Sequence, residues 1–241
     1  MMKQVDFFGQ SFDSEAVQLD MFDRATRLTF RKVDDFFCSL KPSEVERHKD
    51  YWNDKQPKNL IEQFQRFLFA FMSVHTSWQS NVVGYNAIKD WTQWFNNKDR
   101  LFQIIKDSRV GMYNRRTEFI HEFSKTFWKD PNIYVSKSNN ISWQAHRNHL
   151  ASQIKGLKKA KTSFALEMLE PNKAEVFCAD VHLYRMFGLN QSKDARLYET
   201  IENHWLERSK IFNVPSYVAR AIYWNRNQNQ EICDYWAHVF N

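Results

Sequence analysis

Five glycines and five prolines serve all 241 residues of this chain. A fold of many short strands must turn often, and turns draw on these two residue types. So few of them favour helices joined by short connections. The apolar spacing agrees. It predicts helices over 25–37, 42–52, 60–74, 81–95, 99–108, 117–128, 143–150, 158–169, 181–187, 195–208 and 218–240. Pro215 stands where a helix start tolerates proline. Loops are expected at 53–59, around Pro57, and at 129–142. The sequence shows neither an internal repeat nor a convincing strand pair, so the expected class is all-α.

The length suits one large domain or two lobes sharing a core. Hydrophobic residues make up 43% of the chain, and aromatic residues 16%, including nine Trp and 21 Phe. That is ample for a core and leaves rings that can line a groove or stack on a planar ligand. The formal net charge is +6, with a pI of about 9.1. Such a balance suits a polyanionic partner without demanding one. Cys38, Cys178 and Cys233 are too far apart for an iron–sulfur or structural zinc site, and they fit a reducing compartment. No metal and no cofactor is expected. No signal-like apolar segment opens the chain, and no apolar run reaches about 18 residues. The expectation is a soluble cytoplasmic protein without a membrane partner.

One stretch concentrates charge in an unusual place. Residues 154–169 read IKGLKKAKTSFALEML, with Lys155, Lys158, Lys159 and Lys161 beside Gly156. With about 100° per residue, Leu157, Ala160, Phe164, Ala165, Met168 and Leu169 share one apolar arc. Lys159, Ser163 and Glu167 fall on the opposite, polar side. Lys158 sits at the edge. Lys161 falls within the apolar arc, where a lysine must snorkel, pair with an acid or lose its proton. It is therefore a candidate for nucleophilic or anion-binding work. A helix N-terminus presents unpaired N–H groups and the positive dipole end, which suit phosphate. Gly156 would admit close backbone approach. Lys155, Gly156, Lys158 and Lys159 together read as a clamp for a DNA backbone.

Three segments, in order, carry a resemblance. KGLKKAKTSFALEML followed by ADVHLYRMFGL (179–189) resembles the hairpin and the following V-D-T-H-x-x-R segment of the helix–hairpin–helix DNA glycosylases. Asp180, His182 and Arg185 fall at matching positions. GMYNRRTEFI (111–120) resembles the G-L-Y-N-x-K-A segment of endonuclease III-type members. LFAFMSVHTSWQSNVVGYNAI (68–88) resembles their L-L-S-x-Q-T helix and turn, with His75 where Gln is usual. The resemblance implies two helical lobes of the helix–hairpin–helix DNA glycosylase type with a cleft between them. It places an N-terminal arm and helices in 1–59 and a glycosylase-like core with C-terminal helices in 60–241.

The chain also departs from the pattern. The hairpin's second glycine is replaced by Lys158, and the iron–sulfur cysteines are missing. In an ungapped match from Gly156, the nucleophilic lysine of bifunctional glycosylases falls on Ala160. Lys161 is one position later. The pattern G-L-x-x-A-K-x-x-F, then C-x-D-x-H, resembles more closely the phage branch of α-glutamyl/putrescinyl thymine pyrophosphorylases, or amino acid:DNA transferases. That branch implies transfer of an amine or amino acid onto a pyrophosphorylated 5-hydroxymethyl-uracil in double-stranded DNA. A DNA-base kinase would act first, in the cytoplasm of a phage host.

Both activities need a carboxylate and a cation beside a flipped base. The resemblance points to Asp180 as the carboxylate, and Asp180 also suits an N-cap before VHLYRM. Lys161 would form a Schiff base in a lyase or hold the pyrophosphate in a transferase. His182 can serve as a second acid/base or as a structural histidine. His75, Trp78 and Asn81, with Gln79, would face the base or the gap it leaves, and Trp78 can equally be a core residue. Arg185 can face phosphate, and Arg115 and Arg116 are expected near the surface. Three readings stay open: an amino acid:DNA transferase, a DNA glycosylase, and a non-catalytic DNA-binding module of the same fold.

Overall fold

The computed structural model describes residues 28–229 and 239–240. Among them the chain forms twelve α-helices, two short 3-10 turns and no strand, as the turn-poor sequence requires. In chain order the helices are α1 (Arg31–Cys38), α2 (Pro42–Asp54), α3 (Leu60–Met72), α4 (Trp78–Ile88), α5 (Lys98–Asp107), α6 (Tyr113–Lys129) and α7 (Asn132–Val135). Then follow α8 (Trp143–Gln153), α9 (Lys159–Leu169), α10 (Val181–Met186), α11 (Tyr198–Ile211) and α12 (Ser216–Asn227).

Local chemistry sets the helix starts. Asn59 Oδ1 accepts the Glu62 N–H at 3.0 Å, and Glu62 Oε2 accepts the Lys58 N–H at 2.8 Å, closing a reciprocal cap on α3. Ser77, Asn97 and Ser142 cap α4, α5 and α8 through their side-chain oxygens. Several boundaries differ from the sequence expectation. Helix α4 starts earlier, at its Ser77 cap, and stops at Ile88, because Asp90 binds Thr92 and Gln93 side chains and turns the chain. Trp94 Nε1 then donates back to the Ile88 carbonyl at 2.9 Å. Helix α6 starts at Tyr113, after Gly111 and Met112 in left-handed conformations. The expected loop at 129–142 contains the single turn α7. Residues 25–27 and 230–238 of two expected helices lie outside the described residues.

The described residues divide into two compact units. The smaller holds 28–39 and Ala179–His204, and the larger holds Leu40–Cys178, 205–229 and 239–240. In the smaller unit, Phe30 stacks on His204 with ring centres 4.1 Å apart, and His204 Nε2 meets Asp34 Oδ1 at 2.9 Å. Burial pushes the Tyr184 hydroxyl up to about 12.

In the larger unit α3 is central, packing against α4, α6 and α9. Its residues 67–70 are fully buried. Phe64, Phe67, Phe123, Phe127 and Tyr134 form one aromatic cluster between α3, α6 and α7. Each such ring removes roughly 150–250 Å² from water, so this cluster supplies much of the unit's packing energy. On another side, Phe69 touches Trp78, Tyr85 and Phe164, joining α3 to α4 and α9. Gly84 permits this approach: a Cβ there would collide with Met72 and lie 2.9 Å from Val110. Among the described residues no helix is long and apolar enough to cross a membrane.

Candidate functional site

The lysine-rich stretch forms the turn from α8 into α9. Helix α8 ends as Ile154 turns extended, and Gly156 follows at φ +88°, a left-handed conformation suited to glycine. A Cβ on Gly156 would stand 2.5 Å from Phe119 of α6. This glycine therefore has two conformational reasons of its own, without a ligand. Lys155 extends to Glu122 of α6, with Nζ 2.8 Å from Oε1. Both partners are exposed, so solvent screening keeps the bridge weak and leaves Lys155 available to an anion. Lys158 is exposed and caps α9 by backbone alone.

Lys161 lies in the first turn of α9 and is half-buried. Its Nζ stands 5.5 Å from the centre of the Phe164 ring, on the apolar side that the helical wheel assigns it. The opposite side of that wheel is where expectation and structure part. Ser163 and Glu167, expected on a polar face, are fully buried, and α9 is enclosed all round from Thr162 to Leu169. Arg147 Nη1 donates to Ser163 Oγ at 2.8 Å. Glu167 accepts the Cys178 N–H at 2.9 Å and pairs with Arg220 Nη2 at 2.7 Å. The signal was present as two polar residues four apart among the apolar residues of the helix, but their side-chain partners come from α8 and α12.

Asp180 begins α10 as its N-cap. Its Oδ1 accepts the backbone N–H groups of His182 and Leu183 at 2.8 and 3.0 Å. Among the described residues Oδ2 has no hydrogen-bond partner. The carboxylate is thus fixed through one oxygen and offers the other. His182, two residues along, is half-buried, and Arg185 is exposed in the last turn of α10. These three residues belong to the smaller unit. The hairpin and the turn from α3 to α4 belong to the larger.

That second turn carries His75, exposed and left-handed at φ +53°. Trp78 is half-buried and packs against Phe69 at 5.4 Å, so it is partly a core residue. Arg116 corrects the sequence expectation. It is 4% exposed rather than at the surface. Its guanidinium donates to the carbonyls of Phe71 at 2.6 Å, Val74 at 2.5 Å and Gly111 at 3.1 Å. The orphan carbonyls at the end of α3 need such donors, and burial in turn lowers the Arg116 pKa. Arg116 thereby ties the His75 turn to the Gly111–Met112 turn.

Asn81 is 3% exposed on the inner strip of α4, one turn beyond Trp78 and one turn before Tyr85. Its Oδ1 has no hydrogen-bond partner among the described residues. Leaving such a buried acceptor unpaired costs about 1–3 kcal/mol. No group of three or more His, Cys, Asp or Glu able to hold a metal occurs among the described residues.

No protein-family model matches the chain, and no curated protein matches its sequence. Solved structures do match. The 8-oxoguanine glycosylase/lyase of Methanocaldococcus jannaschii, in complex with a 15mer DNA containing 8-oxoguanine, superposes with a TM-score of 0.63 at 17% identity. The match covers 84% of this chain and 98% of that one. The Methanocaldococcus jannaschii 8-oxoguanine DNA glycosylase matches with a TM-score of 0.59 at 18% identity, over 83% and 89%. Tm1821, the 8-oxoguanine DNA glycosylase of Thermotoga maritima, matches with a TM-score of 0.60 at 14% identity, over 84% and 97%. At these identities the likeness is one of fold. The chain has the all-α fold of the helix–hairpin–helix DNA glycosylases.

Proposed function

We propose that this protein is an enzyme acting on a base in double-stranded DNA, and that it transfers an amine onto a pyrophosphorylated 5-hydroxymethyl-uracil. The observation that carries the reading is the state of Asp180, held by Oδ1 at a helix start with Oδ2 open to a reactant. In the transfer, the amine nitrogen bonds to the 5-methylene carbon. The carbon–oxygen bond to pyrophosphate breaks, and the bonding pair leaves with pyrophosphate. The ammonium form of the amine cannot attack until it gives up a proton, which Asp180 Oδ2 accepts. Lys161 and the α9 N-terminus hold the departing pyrophosphate by charge and dipole. In the larger unit Lys155, Gly156, Lys158 and Lys159 would meet the DNA backbone, with His75, Trp78 and Asn81 serving the base; in the smaller unit Arg185 would meet phosphate and His182 would serve the base. Fold likeness to a protein solved in complex with DNA containing 8-oxoguanine supports the choice of partner. A preceding DNA-base kinase would supply the substrate.

The solved structures of like fold favour a second reading, because they are DNA glycosylases. In that chemistry Asp180 would assist departure of the base, and Lys161 would form a borohydride-trappable Schiff base if lyase activity accompanies it. The two readings part at the product. Transfer leaves a heavier nucleoside and free pyrophosphate, whereas excision leaves a free base and an abasic site. Mass spectrometry of nucleosides from treated DNA separates them.

A further inference from the structure

The carboxamide oxygen of Asn81 is one of several buried polar atoms of the larger unit without a partner among the described residues. Native proteins satisfy almost all buried polar atoms, so a persistent exception needs a reason. Its location supplies one. Trp78 and Tyr85, one turn to either side on α4, both pack on Phe69, with ring centres 5.4 and 5.3 Å away. Phe69 in turn meets Phe164, over whose ring Lys161 Nζ stands. Asn81 therefore lies on the strip of α4 that faces the aromatic patch beneath Lys161. A flat ring resting among such side chains would bring its polar edge to a carboxamide rather than to water.

We propose that Asn81 reads the imide edge of a uracil-type base, its Oδ1 accepting the base N3–H and its Nδ2 donating to an adjacent base carbonyl. The inference rests on the reading of the protein as a DNA-base enzyme and adds the group that selects the base. A carboxamide offers one acceptor beside one donor, and the uracil imide offers one donor beside one acceptor, so the two close a two-bond pair. A bound base would complete the pairing of the Asn81 amide. Selection by a site built for a hydrogen bond is strong, because a base lacking the donor leaves the buried acceptor orphaned.

The test uses duplex oligonucleotides carrying 5-hydroxymethyl-uracil or its N3-methyl derivative, each opposite an abasic site so that base pairing does not enter. Plain duplex is the reference. The wild-type protein should bind the N3–H oligonucleotide at least about tenfold more tightly than the N3-methyl one. Asn81→Leu and Asn81→Ala should bind the two equally, with Asn81→Leu melting no lower than the wild type. Retention of the preference in both variants overturns the role of Asn81, as does a wild type that prefers the modified site over plain duplex yet ignores the N3-methyl group. A wild type that binds both modified duplexes no better than plain duplex overturns the parent reading, and this inference with it.

Discussion

Asp180 combines a structural and a chemical task in one carboxylate. Substitution by Asn separates them, because Asn caps a helix about as well as Asp but accepts no proton. Asp180→Asn should melt within a degree or so of the wild type and keep its DNA affinity, while product formation falls roughly 10²–10⁴-fold. Calorimetry, a binding titration and a product assay on the same preparation check all three. The capping role was legible in the sequence, since an acid directly precedes an apolar helical run. The burial of Arg116 was not. Two of its acceptors are carbonyls 42 and 45 residues away in the chain, and no local pattern announces such contacts. Asn81 was legible as a residue near the turn, but an unpaired amide is a property of packing.

Helix α9 shows how far periodicity reaches. Its apolar arc, and Lys161 upon that arc, follow from the 3.6-residue repeat. The wheel assigns the remaining side to solvent by default, and there it fails, because a central helix has no solvent side. Glu167 and Ser163 are instead bonded to Arg220 and Arg147. A buried ion pair contributes little net stability, but removing one partner strands the other charge. Glu167→Ala should therefore destabilise the protein by about 3–5 kcal/mol. A chemical denaturation midpoint measures the loss, and restoration on adding Arg220→Met to that variant would identify the stranded guanidinium as its cause. The hairpin itself was well marked, because Gly156 is a glycine where the backbone is left-handed.

At the scale of the whole molecule, the all-α class followed from the shortage of turn residues. The larger unit contains three histidines, His48, His121 and His146, whose pKa values burial lowers below the ordinary histidine range. His48 is held neutral by geometry as well: Nδ1 donates to the Glu44 carbonyl at 2.8 Å, and Nε2 accepts from Asn225 Nδ2 at 3.0 Å. The unfolded chain takes up protons on these histidines as pH falls through about 6.5, where the folded protein still resists them. Their stabilisation is complete above that pH and is lost as pH falls through the lowered values. The melting temperature should drop from pH 7.5 to 5.5, with net proton uptake on unfolding, and calorimetry in buffers of different ionisation enthalpy reads both. The fold alone does not decide between transfer and excision, since one scaffold supports many chemistries. The product does. Duplex DNA bearing pyrophosphorylated 5-hydroxymethyl-uracil, incubated with the protein and an amino acid, then digested to nucleosides and weighed by mass spectrometry, is the direct test. The account predicts a nucleoside carrying the amino acid through nitrogen, with one pyrophosphate released for each. A released free base with abasic sites, and no heavier nucleoside, would contradict it.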